Sequence, residues 1–247
     1  MSLHSNMIKR GNWLFRYRSY VPLFMFIAVI PFLWHDTEDF GSFQQWEWGL
    51  TCLIISLLGL LVRVIVILQT PDGTSGRNVN QQEASTLNTK GIYSMVRHPL
   101  YLGNFLMWLG LILYAGSVEF LIFAVFFFWI YYERIMFAEE EFLRAKFGKQ
   151  FEVWAELTPA FFPSFKHYEP TLYRFNWKRI IHREYHGIAA LIISFAYLNF
   201  LKNLLQLHQL YLRYRMEMGC CYNSCILYFR SFSCKKNQLI KIVIYGW

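Results

Sequence analysis

The stretch from Trp48 to Leu68 is apolar from end to end apart from Arg63. A helix needs about 20 mostly apolar residues to cross the hydrocarbon core of a bilayer, and this run has that length without help from its flanks. Three further blocks, Tyr20–Trp34, Leu100–Tyr114 and Val118–Tyr132, reach it only with their aromatic ends, which suit the membrane interface. The last two are joined by Ala115, Gly116 and Ser117, a link that allows only a tight helical hairpin. Of the 247 residues, 55% are hydrophobic and 16% charged, against roughly 25% charged in an ordinary soluble domain. That excludes a disordered chain and leaves too much apolar surface for a soluble core. The expected fold class is an all-α integral membrane protein: a bundle of about four to five transmembrane helices with a cytoplasmic amphipathic helix.

Lysine and arginine set the orientation. Lys9, Arg10, Arg16 and Arg18 precede the first block, whereas the next loop carries Asp36, Glu38, Asp39 and Glu47 with no Lys or Arg. Basic residues return between Gln69 and Pro99 (Arg77, Lys90, Arg97) and after the fourth block (Arg134, Arg144, Lys146, Lys149, Lys166). The excess of Lys and Arg on cytoplasmic loops puts both ends of this four-span core inside. The first block lacks a small-residue cleavage signal and reads as a retained span. The net charge of +8 then belongs to basic loops facing an anionic leaflet. It does not indicate nucleic acid, since no basic stripe is interleaved with a recognisable nucleic-acid motif.

The chain divides into N-terminal transmembrane helices (1–68), a core with the informative motifs (69–163) and a C-terminal extension (164–247). In the extension, Trp177, Lys178, Arg179 and Arg183 precede the apolar run Gly187–Leu201, which is either an interfacial helix or a span with a re-entrant return. A simple crossing would leave Arg213, Arg215, Arg230, Lys235, Lys236 and Lys241 outside, against the charge rule. Cys220, Cys221, Cys225 and Cys234 lack zinc-site spacing and are expected to be inert thiols or lipidation sites. Cys52, inside a span, is expected to pack. His182 and His186 flank Glu184, but a metalloprotease helix has its Glu directly after the first His, so a basic interfacial helix is expected and no metal site.

Two segments carry chemistry. The first, Thr89–Gly103, leads into the third block. Pro99 suits the first residue of a helix, and Arg97 and His98 stand where unpaired backbone N–H groups favour anions. Gly103 permits close approach by a neighbour or a ligand. By itself this segment could equally be an interfacial anchor. The second runs from Glu133 and Arg134 through Glu139-Glu140-Glu141 to Gly148, an amphipathic helix with Gly148 as cap. Its Glu140 and Arg144 have the i,i+4 spacing of an exposed salt bridge. Three acids beside an apolar bundle need partners.

Together these segments resemble the membrane-embedded family of isoprenylcysteine carboxyl methyltransferases and bacterial phospholipid methyltransferases. The matching pattern is G-x-Y-x-x-x-R-H-P-x-Y-x-G over Gly91–Gly103, then E-E-x-x-L-x-x-x-F-G over Glu139–Gly148, then an aromatic-rich ending through Pro159 and Pro163. The likeness covers about Ser85 to Pro163. It implies S-adenosylmethionine as methyl donor, bound on the cytoplasmic side. Residues matching Ser85, Thr86, Leu87, Asn88, Tyr93, His98, Pro99, Leu100 and Tyr101 line that site in the family, and the residue matching Glu139 closes it.

These residue types suit the chemistry. Aromatic faces attract a sulfonium cation. His98 and helix-start N–H groups can hold a carboxylate, and Glu139 can accept from hydroxyl or amino groups. Methyl transfer to an anionic oxygen needs alignment and dryness and no general base. Arg134 is the expected acceptor-orienting cation, although it stands one residue further upstream than in the prenylcysteine enzymes; Arg97 is the other, its bland role being to snorkel to lipid phosphate. The expected acceptor is an anionic lipid group, a prenylcysteine-like carboxylate or a lipid phosphate, reached from the bilayer. The alternatives are a membrane sterol-type reductase using NADPH and a non-enzymatic membrane scaffold.

Overall fold

The computed structural model describes residues 2–35, 45–70, 84–171, 177–208 and 211. Residues up to Asn199 form one compact unit, and Phe200 onward belongs to a second. The acidic residues Asp36, Glu38 and Asp39, the basic residue Arg77, and Cys220, Cys221, Cys225 and Cys234 with the basic residues around them lie outside the described residues.

The described residues are mainly helical, joined by turns and irregular segments. The chain begins with α1 (Leu3–Arg16), capped by Ser2, whose side chain accepts from the Ser5 amide at 3.2 Å. A 3-10 turn at Val21–Leu23, carrying Pro22, leads into α2 (Phe24–His35). The axis bends by 74° between α1 and this second piece. The N-terminal basic residues therefore sit on a helix or on its bend, not on an extended loop. Hydrophobic patterning hid α1, because Lys9, Arg10 and Arg16 interrupt it. Its buried positions, Gly11 and Phe15, are one turn apart and face α5.

The long apolar run forms α3 (Gln45–Gln69), which lies antiparallel to α4 (Pro99–Ala115). Trp48 Nε1 donates to Leu113 O at 3.1 Å and Ser56 Oγ to Met107 O at 2.9 Å. Between lipid-embedded helices there is little hydrophobic drive, so close van der Waals approach through small residues decides the pairing. Gly103 supplies it: a Cβ there would stand 2.9 Å from Gly59 O and 2.8 Å from Arg63 Cγ. Of the two uses open to Gly103, it serves a neighbour. Cys52 and Ser56, both fully buried, continue the same face of α3.

Gly116, in the left-handed conformation at φ 85°, ends α4, and Ser117 caps α5 (Val118–Phe147) by accepting from Phe120 N at 3.2 Å. The expected hairpin is present. The acidic segment is not a separate amphipathic helix: it is the last turns of this 30-residue α5, which Gly148 closes with its N–H bonded to Arg144 O. The short amphipathic helix is α6 (Lys149–Leu157), immediately after it.

Trp177–His208, here α7, is a 32-residue helix long and apolar enough to cross a membrane, as are Trp46–Gln69 and Val118–Phe147. The run Gly187–Leu201 is its middle. Tyr114 Oη donates to Asn199 Oδ1 at 3.1 Å and Tyr197 Oη to Phe26 O at 2.9 Å, so the helix runs beside α4 and α2. With the bent N-terminal pair and the shorter α4, this is an all-α membrane bundle.

Candidate functional site

The segment Gly91–His98 is pinned on both sides. Below α3, Gln69 Oε1 accepts from Ile92 N at 2.6 Å. From the other side the chain after α6 threads along it. Arg97 N donates to Pro159 O at 2.9 Å, His98 N to Ala160 O at 3.2 Å, Ser164 N to Met95 O at 2.9 Å and Gly91 N to Glu169 O at 2.7 Å. Trp154 Nε1 closes on Tyr93 O at 3.0 Å. The aromatic, proline-punctuated ending is thus the backbone brace of the first motif. The His98 amide, expected to face an anion, is already used by Ala160.

The braced segment delivers His98, 5% exposed, to the acidic turns of α5. Its Nε2 lies 3.0 Å from Glu140 Oε1, and its Nδ1 is 3.6 Å from Glu139 Oε2. The first is a hydrogen bond and the second is ion-pair distance only. Arg97 Nε is 3.2 Å from the same Glu140 Oε1, and Arg97 Nη1 donates to Ala155 O at 3.3 Å. Glu140 therefore faces inward. The expected Glu140–Arg144 surface bridge does not form; Arg144 pairs with Glu141, one helical turn away at i,i+3. Two cations in the cluster outbid a solvent-exposed guanidinium for Glu140.

Two buried atoms of this cluster, Glu139 Oε2 and Arg97 Nε, have no hydrogen-bond partner. A buried carboxylate oxygen without a hydrogen bond is costly, which marks a position that a donor-bearing ligand would satisfy. Burial acts to lower the His98 pKa, but the adjacent carboxylates of Glu139 and Glu140 outweigh it and hold it above its ordinary value of 6.5. Burial, then the charge of Glu139, pushes the Tyr93 phenol above its ordinary range. Aromatic rings wall the cluster: His98 to Tyr101 at 5.7 Å between centroids, Tyr101 to Tyr132 at 5.4 Å.

His98, Tyr101, Glu139 and Arg97 thus come together, with Pro99 buried at the helix start. Leu100 and Tyr93 pack instead on the apolar cluster of Val66, Ile92 and Val96. Ser85 and Thr86 are exposed and Leu87 and Asn88 half-buried. Among the described residues no hydrogen bond or ion pair ties these four to His98 or Glu139. Arg134 is half-buried, its carbonyl against Gly11 of α1. It is five residues from Glu139 and so roughly 140° round the helix.

A second ionic cluster was not expected. Glu184 of α7, 2% exposed, receives Arg63 Nε at 3.0 Å and Nη2 at 2.7 Å, while Arg63 Nη1 donates to Asn104 Oδ1 of α4. Its signal was present: a lone arginine inside a span needs an internal partner. Among the described residues no group of three or more His, Cys, Asp or Glu side chains could hold a metal ion.

A family model described as phospholipid methyltransferase matches residues 47–150. Protein-S-isoprenylcysteine O-methyltransferase B of Arabidopsis thaliana is 31% identical over 152 residues, which cover 57% of this chain and 72% of that protein. Its A counterpart from the same plant is 31% identical over 142 residues, 54% of this chain and 68% of that one. The nickel-cobalt-cadmium resistance protein NccN of Alcaligenes xylosoxydans xylosoxydans is 32% identical over 123 residues, 49% of this chain and 55% of that protein. No solved structure matches the chain.

Proposed function

The chain belongs to the family of isoprenylcysteine carboxyl and phospholipid methyltransferases, and from that premise we propose that it methylates an anionic lipid or lipid-anchored acceptor with S-adenosylmethionine as donor, at the cytoplasmic face of the membrane. Membership of this family favours neither a sterol-type reductase nor a mere scaffold.

The observation that carries this reading is the unsatisfied Glu139 Oε2, buried beside His98 and the rings of Tyr101 and Tyr132. S-adenosylmethionine offers hydroxyl and amino donors and a sulfonium cation, and supplies an electrophilic methyl group when bound. Glu139 accepts from those donors. The tyrosine faces favour the cation. With one ring nitrogen on Glu140 and the other toward Glu139, His98 fixes the direction of both carboxylates and is less open to a ligand carboxylate than the sequence suggested. Ser85, Thr86, Leu87 and Asn88, with Tyr93, would edge the site and would have to close on the ligand from the segment leading to Lys90.

Arg97 holds Glu140 and the Ala155 carbonyl and so orients the acidic turn. Arg134, on the α1 side of α5, would meet an acceptor that enters there. The apolar bundle excludes water, and an anionic oxygen aligned with the methyl carbon needs no proton removed.

The test is incubation of the purified full chain in lipid nanodiscs with methyl-labelled S-adenosylmethionine and either N-acetyl-S-farnesylcysteine or phosphatidic acid. Label transferred to either acceptor supports the reading. No label in either acceptor or in the nanodisc lipids overturns it.

A further inference from the structure

The two ring nitrogens of His98 are held unequally. Nε2 is hydrogen-bonded to Glu140 Oε1 at 3.0 Å, whereas Nδ1 is 3.6 Å from Glu139 Oε2, too far for a hydrogen bond. Glu139 Oε2 is also the buried oxygen that lacks a hydrogen-bond partner. A ligand N–H or O–H that reaches this oxygen takes a place that the Nδ1 proton holds by charge alone. Because His98 is 5% exposed, little water screens a charge added beside it.

Net charge decides which ligand favours that exchange. With an imidazolium at His98, the cluster sets two cations, Arg97 and His98, against two carboxylates, Glu139 and Glu140, and is neutral. The groups facing it from the neighbouring elements hold their charge across the range where an imidazole titrates. Tyr101 of α4, Tyr132 of α5 and Tyr93 before the helix are neutral phenols. Arg18, in the turn after α1, acts on Glu139, and Arg144 of α5 acts on Glu140; both stay cationic. Helix α6 and the brace meet the segment through the Trp154 indole and the carbonyls of Ala155 and Ala160. Among these described groups, His98 is the one whose ordinary titration lies near neutrality. The tyrosine face that favours a sulfonium adjoins it, with the His98 and Tyr101 centroids 5.7 Å apart. Like charges roughly 6 Å apart in a partly desolvated site move a proton equilibrium about tenfold or more.

We propose that His98 is the residue by which the site tells the methyl donor from its demethylated product, releasing the Nδ1 proton to solvent beside the sulfonium of S-adenosylmethionine and keeping it beside the sulfide of S-adenosylhomocysteine. The donor carries one net positive charge and the product none, so the site is neutral with either. The Nε2 bond to Glu140 persists in both states. The carboxylates hold His98 protonated above 6.5 before any ligand arrives, so there is a proton to release near neutrality. Alkaline solution therefore favours the donor and acid solution the product. The inference rests on the methyl-transfer reading and concerns the complexes formed without acceptor.

The test is calorimetric titration of the full chain in nanodiscs, without acceptor, using S-adenosylmethionine, S-adenosylhomocysteine and sinefungin, which carries an ammonium in place of the sulfonium. Buffers of two different ionisation enthalpies count the protons exchanged, from below pH 6.5 into alkaline solution. S-adenosylmethionine and sinefungin should release more protons than S-adenosylhomocysteine. The ratio of donor to product affinity should climb with pH by up to about tenfold per unit, the limit for one linked proton. His98→Gln, whose amide can still reach Glu140 but does not titrate, should lose that climb, and it subtracts the titration of the ligands' own amino groups. His98→Asn serves the same purpose if His98→Gln does not fold. Equal proton counts for donor and product, or the same climb in wild type and variant, overturns the proposal. Donor binding without the proton difference sinks this inference and spares the methyl-transfer reading, whereas no donor binding at any pH sinks both. The proton difference without methylation of an acceptor sinks the reaction and leaves the discrimination standing.

Discussion

The bundle contains two ionic clusters, and they differ in completeness. In Arg63–Glu184–Asn104 both carboxylate oxygens receive a guanidinium N–H and the remaining arm of the arginine is taken by the amide. In Arg97–His98–Glu139–Glu140 the accounts do not close: Glu139 Oε2 and Arg97 Nε are buried within ion-pair distance of His98 and Glu140 but make no hydrogen bond. A satisfied cluster rigidifies the helices it joins, here α3, α4 and α7. An unsatisfied one has capacity left for a ligand. The contrast separates a membrane bolt from a binding site more clearly than residue type does, since each contains an arginine and at least one glutamate.

The comparison breaks most visibly at Glu184. Glu184→Ala leaves Arg63 charged and unpaired within a span, and loss of one partner of a buried pair costs about 3–5 kcal/mol. Unfolding in detergent should show the loss, and the double variant Arg63→Met with Glu184→Leu should restore most of it. If Glu184→Ala is as stable as the wild type, the closed cluster is not a bolt. Glu140→Gln should cost less, about 1–2 kcal/mol, because its partly exposed hydrogen bonds to charged partners are weakened by solvent. A loss as large as that at Glu184 would erase the distinction between the clusters.

His98 sharpens the contrast through pH. Its folded pKa is raised above 6.5 by the two glutamates against the opposing effect of burial. The stability that its protonated form contributes is complete below 6.5 and declines as pH climbs through the higher folded value. Unfolding midpoints of wild type minus His98→Asn should therefore narrow on going from below pH 6.5 to more alkaline solution. A difference that widens with pH contradicts the upward shift at His98. The smallest effect belongs to Arg144→Ala, whose own side chain is exposed, at no more than about 0.5 kcal/mol. A larger loss would mean that Arg144 supports Glu140 after all.

How much of this could be read in the sequence depends on how local each signal is. The turn at Gly116 and Ser117, the span in α3 and the closing Gly148 follow from neighbouring residues, and the structure has all three. The meeting of His98 with Glu139 was legible only through the family's motif spacing. Arg63 and Glu184 are 121 residues apart, a pairing no periodicity announces. Glu140 has a correct i,i+4 partner in Arg144, yet turns to Arg97 and His98 because the Pro159–Ala160 brace carries them to it. Helix α1 is hard to read locally because Lys9, Arg10 and Arg16 interrupt its apolar pattern and only Gly11 and Phe15 are buried.

The most direct test of the open cluster is calorimetric titration of S-adenosylmethionine into the full chain, wild type and Glu139→Gln, in the same detergent. The account predicts binding to the wild type and an affinity at least about tenfold weaker for Glu139→Gln, the worth of one hydrogen bond to a charged group, with the two proteins equally stable. Equal affinity in both, or no binding to the wild type, would contradict it.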